Sequence, residues 1–141
     1  MDKTIIMNFV NNMNSLSSSN VNQVLERTYT NDVEFIDPVK GIHGLDDLTS
    51  YFLSLYKSVD HCHFTINNYI THGDHHSIEW EMRLKHQKLA KNKEITLDGA
   101  SFIRFQDNKV CYHRDYYDLG ALIYERVPLL GFAVRKVRNA F

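Results

Sequence analysis

Cysteine is scarce in this chain of 141 residues: Cys62 and Cys111 are the only two, and no CxxC pair occurs. A disulfide framework and a zinc knuckle both need more thiols at closer spacing, so neither is expected, and a reducing cytosol is the natural setting. Long apolar runs are missing too. After Met1-Asp2-Lys3-Thr4 the chain is broken by Asn8, Asn11 and Asn12, which reads as neither a signal peptide nor a membrane span. Charge of one sign is also lacking. Sixteen basic against seventeen acidic residues leave a net charge of −1, which argues against nucleic acid as a partner. No internal repeat, low-complexity tract or linker is found.

What is present is ordinary globular composition, 43% hydrophobic and 23% charged, in a length that suits one domain spanning residues 1–141. A domain of this size buries roughly 68–70% of its unfolded-chain surface, enough for a core with a pocket. Ile5, Ile6, Phe9, Val10, Met13 and Leu16 recur with helical spacing over Thr4–Leu16. Ser17-Ser18-Ser19-Asn20 breaks the pattern and offers N-cap side chains to a second helix that carries Val21, Val24, Leu25 and Thr28. Val33-Glu34-Phe35-Ile36 reads as a short strand stopped by Asp37-Pro38. A loop with Gly41 and Gly44 then opens a third helix, from about Leu45 to Lys57.

From there to residue 118 the period is two. Phe64, Ile66, Tyr69 and Ile70 suggest one strand, less regular than the rest, and Ile78, Trp80, Met82 and Leu84 another. Two further strands, about Thr96–Gln106 and Lys109–Asp118, meet at the tight turn Gln106-Asp107-Asn108-Lys109. Helices, a strand, a helix and an antiparallel run predict an α+β fold, with a curved antiparallel sheet wrapped around three helices. Such a sheet closed by helices makes a cone whose apolar interior is the place for a small ligand.

The stretch Asn31-Asp32-Val33-Glu34-Phe35-Ile36-Asp37-Pro38-Val39-Lys40-Gly41-Ile42-His43-Gly44 resembles the superfamily that holds nuclear transport factor 2, ketosteroid isomerase and the SnoaL-like polyketide cyclases. The resemblance runs over essentially the whole chain in element order and implies a cystatin-like cone. It is specific for fold rather than activity, because enzymes, binding modules and transport adaptors share this architecture. The isomerase uses an Asp base with an oxyanion hole of a Tyr and a protonated Asp. By the resemblance the base falls on Asp37 and the protonated Asp on Ser101, while the first helix contains no tyrosine. The Arg-x-Asp pair of the epoxide-hydrolase branch has Gly99 and Ser101 near its place. SnoaL-like cyclases hold an acid–base carboxylate inside the cone, which makes Asp115 the first candidate here.

Strand alternation assigns faces. Trp80, Met82 and Leu84 face the core because Glu79, Glu81, Arg83 and Lys85 are charged. By analogy with the isomerase register, Cys111, His113, Asp115 and Tyr117 share the inward face of the last strand, with Tyr112, Arg114, Tyr116 and Asp118 outward. His113 and Asp115 then lie roughly 7 Å apart at their Cα atoms, where a carboxylate can orient an imidazole. The expected catalytic set is Asp115, His113 and Asp37. The expected ligand contacts are Trp80, Met82, Ser101, Tyr117, Phe52 and Tyr56, with Tyr51 as a further phenol donor. The alternatives are a structural Asp-Pro turn for Asp37 and a buried hydrogen-bonded pair for His113 and Asp115.

No cofactor and no metal are expected. His61-Cys62-His63 and His72-Gly73-Asp74-His75-His76 lack standard ligand spacing, and the second reads as solvated turn residues. Glu79, Glu81, Arg83, Arg104, Arg114, Tyr112 and Tyr116 on the outer face suit an isologous homodimer. Residues 119–141 read as a C-terminal helical extension, with Pro128 in the first turn of a helix. Leu130, Val134, Val137 and Phe141 form an apolar stripe there, and Arg135, Lys136 and Arg138 cluster elsewhere. That pattern fits a peripheral membrane contact, a lid over the cone's mouth, or packing on the domain or a dimer mate. Three functions are compatible with the whole: an isomerase, cyclase or dehydratase acting on a small hydrophobic molecule, a non-catalytic lipid- or polyketide-like ligand carrier or sensor, and a protein-interaction module.

Overall fold

The computed structural model describes residues 2–141; Met1, which opens the N-terminal segment discussed above, lies outside them. The order is α1 (Asp2–Asn14), α2 (Val21–Thr28), β1 (Tyr29–Ile36), β2 (Gly41–His43), α3 (Leu45–Tyr56), β3 (Val59–His72), β4 (His75–His86), β5 (Ile95–Gln106), β6 (Lys109–Tyr117), α4 (Leu119–Leu122) and α5 (Leu130–Asn139). The six strands form one sheet in the order β2-β1-β6-β5-β4-β3. The helices α1 to α3 close its concave side, burying Ile6, Leu25 and Leu48 completely against Ile78, Ile103 and Val110. Each such side chain contributes about 1.5–3 kcal/mol by leaving water.

Local chemistry accounts for the joints. Asn20 stands at the N-cap of α2, but its side chain does not cap that helix. It accepts from Ser17 N and donates to Ser15 O, both at 2.7 Å, and so ties the α1–α2 turn. Gly44 opens α3 at φ 93°, backbone space that glycine occupies without the Cβ penalty. The segment expected as a loop after Asp37-Pro38 contains the short strand β2, paired with β1 through Phe35 and Ile42.

One pairing differs from the antiparallel run: β1 lies parallel to β6, with Phe35 beside His113. No hairpin joins these two strands, so β1 is free to dock on the exposed edge of β6 in either direction, and the long excursion through α3, β3, β4 and β5 is the crossover that a parallel pair requires.

Register shifts in β1, β3 and at the β5–β6 pairing bend the sheet, and two of them bear on the reading of the strands. In β3 the register shifts between Ile66 and Asn68, which is why the alternation there looked irregular. In β6, Phe105 pairs with Val110 and Arg104 with Tyr112, leaving Cys111 as an extra residue. The bulge corrects the expected inward position of Cys111: Val110 takes the core place, and the Cys111 thiol donates to Arg104 O at 3.5 Å. Beyond the bulge the expected alternation resumes. Bulged strands bend and twist more strongly, and here they turn the sheet into a cone.

Two other expectations are corrected. His76 is buried rather than a solvated turn residue, because β4 begins at His75 and places His76 in the inward row with Ile78 and Trp80. Pro128 precedes α5 rather than lying in its first turn, since Leu129 takes φ 67° and the helix starts at Leu130. α5 is attached through Glu125, whose carbonyl accepts from Arg135 Nη1 at 2.5 Å and whose carboxylate pairs with Arg138 at 2.6 Å. Leu130, Val137 and Phe141 of its apolar stripe remain exposed. No helix among the described residues is long and apolar enough to cross a membrane.

A Cβ added at Gly99 would collide with the six-membered ring of Trp80, which lies across it from the paired strand. Gly99→Ala should therefore destabilise the fold by about 1–3 kcal/mol. Urea unfolding followed by the fluorescence of Trp80, the single tryptophan, measures this directly.

Candidate functional site

A cavity of about 240 Å³ fills the upper part of the cone. All the expected site residues line it: Asp37, Phe52, Tyr56, Trp80, Met82, Ser101, His113, Asp115 and Tyr117. A larger and more open groove, about 680 Å³, lies between α1 and the hairpin tips at Gly73-Asp74 and Asp107-Asn108. In that groove Arg27 is engaged by Asn12 and Ser15.

Asp115 anchors a polar network in the cavity wall. Its Oδ1 accepts from Ser101 Oγ at 2.5 Å and bonds His113 Nε2 at 2.6 Å. Ser101 in turn accepts from the indole Nε1 of Trp80 at 2.9 Å. This last bond exists because Gly99 leaves the indole room to lie over the sheet. His113 Nδ1 meets the Tyr29 phenol at 2.8 Å. Both bonds to Asp115 fall on one oxygen, and Oδ2 has no hydrogen-bond partner among the described residues.

The second carboxylate is placed differently. Asp37 Oδ1 accepts from Val39 N and Lys40 N at 2.8 and 2.9 Å, and Oδ2 accepts from Tyr51 Oη at 2.6 Å. Three donors thus hold Asp37 at the β1–β2 turn, in the manner of an Asx turn with a phenol added. Lys40 Nζ lies 5.1 Å from the centre of the Tyr51 ring.

The phenols of the site resist ionisation. Burial pushes Tyr117 well up from the usual tyrosine value, and the charges of Asp37 and Asp115 add to it. Tyr51 is raised by burial and then by its bond to Asp37. Tyr56 is raised by burial and by its neighbour Cys62. Tyr29, fully buried, is raised by burial and by the charge of Asp115. Cys62 is itself pushed up to about 11 by burial, the bond with Tyr56 working the other way, so its thiol is a poor nucleophile at neutral pH. Around this wall Phe35 and Phe52 meet edge to face at 5.7 Å, and Phe64 and Trp80 at 5.1 Å.

Two residues of the site escaped the reading of the sequence. Tyr29 stands where helical period gives way to strand period, so neither pattern assigns it a face, and its partner is 84 residues away. Gly99 carries no side chain to read, although its place in register opposite Trp80 follows once β4 and β5 are paired. The histidine clusters add no ligand set. His61 and His63 stack on the exposed face of β3 at 6.3 Å. Among the described residues no group of three or more His, Cys, Asp or Glu converges on a metal position.

A family model described as SnoaL-like domain matches residues 12–113. No curated protein matches the sequence. The fold is similar to that of a Catenulispora acidiphila DSM 44928 protein with a ketosteroid isomerase-like fold, solved in complex with trimethylamine. The two share 16% identity over 84% of this chain and 88% of that one, at a TM-score of 0.72. A candidate SnoaL-like polyketide cyclase of Shewanella denitrificans OS-217 matches at 0.71, with 16% identity over 84% of this chain and 91% of that one. A candidate hydroxylase of Streptomyces galilaeus matches at 0.68, with 15% identity over 98% of this chain and 92% of that one. At these identities the likeness is one of fold.

The raised phenols carry a pH signature. The folded chain keeps protons on Tyr29, Tyr51, Tyr56 and Tyr117 that the unfolded chain releases near its ordinary value of 10. Their contribution to stability is complete below pH 10 and is lost as pH rises through the folded values. Melting temperature should therefore fall steeply above about pH 10. Ultraviolet titration of the native protein should show these four phenols ionising only as it unfolds.

Proposed function

The chain belongs to the SnoaL-like domain family, and from that premise we propose that its cone binds a small apolar carbonyl compound and moves a proton on it. The reaction class is isomerase or lyase, with Asp115 as base and then acid. The observation that carries this reading is the asymmetry of Asp115. Oδ1 is filled by Ser101 and His113, while Oδ2 remains available on a side chain that lines an aromatic cavity.

In this reading Asp115 takes a proton from the carbon next to the carbonyl. The C–H electron pair becomes a carbon–carbon double bond, and the carbonyl π pair moves onto the oxygen, which accepts a hydrogen bond from Tyr117. That phenol keeps its proton because burial and the two nearby carboxylates oppose its ionisation, which suits it to donate to a developing oxyanion. Asp115 then returns the proton to another carbon, or the carbonyl re-forms as a β group leaves with its bonding electrons and takes the proton from Asp115. Asp37 holds the Tyr51 phenol in the wall. A cavity of about 240 Å³ suits a small, compact substrate. No cofactor takes part in these steps.

A second reading, a carrier of an apolar ligand, draws on the same aromatic lining and is separated from the first by substitution. Asp115→Asn should lower deuterium uptake from solvent into small enolisable ketones by about 10²–10⁴-fold while leaving their dissociation constants nearly unchanged. Tyr117→Phe should lower turnover by about 10²–10³-fold. Loss of binding and of thermal stability together in Asp115→Asn would make the network structural and end the catalytic reading.

The outer sheet face supports an assembly with a second copy of this chain. Phe102 and Tyr116 are half exposed and meet edge to face at 5.7 Å. Arg104 and Arg114 lie over Tyr112 and Tyr116 at 4.7 and 4.9 Å. With Glu79 and Glu81 nearby, the face carries both signs of charge and can complement itself. Light scattering should give twice the chain mass of 16.5 kDa, and Phe102→Glu should give a monomer. A monomeric wild-type protein at micromolar concentration rules this assembly out.

A further inference from the structure

The acid–base reading leaves one member of the network without a task. Tyr29 is the first residue of β1, fully buried, and its phenol lies 2.8 Å from His113 Nδ1. We infer that Tyr29 is the positioning residue of this centre: its O–H donates to His113 Nδ1, which places the ring proton on Nε2 and aims it at Asp115 Oδ1. The inference rests on the reading of Asp115 as the acid–base group, and it explains what keeps the second carboxylate oxygen available.

The assignment follows from counting donors and acceptors. A neutral imidazole carries one N–H and one lone pair. At Nε2 the partner is the Asp115 carboxylate, 2.6 Å away. With the proton on Nδ1, the Nε2 lone pair would face an ionised carboxylate at that distance, two acceptors in contact. With the proton on Nε2, Nδ1 needs a donor, and the phenol of Tyr29 is the group within reach. Water offers little competition, since His113 is 4% exposed and Tyr29 0%. Burial and the charge of Asp115 both keep the phenol protonated.

Packing fixes the ring planes. Tyr29 and His113 stack at 5.9 Å with 12° between them, while Phe9 and Phe35 meet the imidazole edge to face at 5.4 and 4.8 Å. The ring therefore cannot turn away from either partner without disturbing α1 and β1. Met13 Sδ lies 3.6 Å from the phenol oxygen and provides a weak second acceptor.

The consequence reaches Asp115. With Nε2–H and Ser101 O–H both directed at Oδ1, the carboxylate cannot rotate to share its two oxygens between them, and Oδ2 stays free for a ligand. Removing the phenol leaves a buried, unpaired Nδ1 and loosens the imidazole that holds the carboxylate.

Imidazole ¹⁵N–¹H correlation spectra at pH 8 test this without any knowledge of the substrate. Wild-type His113 should show one tautomer, with the proton on Nε2 and Nδ1 shifted as a hydrogen-bond acceptor. In Asp115→Asn, whose amide can either donate or accept, Tyr29 alone should still hold the Nε2–H form. Adding Tyr29→Phe should release a mixture of tautomers. A wild-type ring protonated on Nδ1, or an Asp115→Asn ring that loses its Nε2–H form, overturns the assignment. A locked Nε2–H ring in a protein that exchanges no proton on any enolisable ketone upholds the role of Tyr29 and instead removes the catalytic reading of Asp115.

Discussion

The rest of the structure depends on keeping a charged, hydrogen-bonded carboxylate inside an apolar cone. An unpaired polar group buried there costs about 1–3 kcal/mol, and an uncompensated charge costs more. Asp115 escapes that penalty because Ser101 and His113 serve it, and those two are served by Trp80 and Tyr29. The five side chains come from β1, β4, β5 and β6. Their geometry is therefore set by strand register, and a slip of one residue in any of these strands would turn a partner out of the cone.

Curvature and chemistry are linked through the same strands. The bulge at Cys111 separates Val110, which belongs to the base of the core, from His113 and Asp115, which face the cavity. Gly99 removes a side chain where Trp80 must cross, so the indole covers the sheet and reaches Ser101. The parallel pairing of β1 with β6 brings Tyr29 and Phe35 against His113. The two acidic groups of the cavity are thus distinguished by their surroundings. Asp37 is held by three donors at a turn, whereas Asp115 is held from one side.

Much of this was legible in the residues. Alternation around Trp80, Met82 and Leu84 gave the inward row, and the spacing of His113 and Asp115 placed them on one face, as they are. The α+β cone followed from the order of elements and from the resemblance carried by Asn31–Gly44. What could not be read depends on contacts between distant segments. A bulge adds one residue without any local mark, so Cys111 was assigned to the wrong side. His76 follows a turn and carries a polar ring, and only the register of β4 puts it inside. The role of Tyr29 requires the parallel docking of β1, which no periodicity encodes.

We propose that the cavity beside Asp115 is the ligand site. Trp80 is the only tryptophan, so its indole N–H gives a single resolved signal at the cavity wall. Titration with small carbonyl compounds, followed at that signal, tests the claim most directly. The indole resonance should show a saturable shift for compounds compact enough to enter, and no such shift once the cavity is filled by Ser101→Leu. An indole signal that stays fixed while the same compounds perturb only the outer sheet face would contradict it.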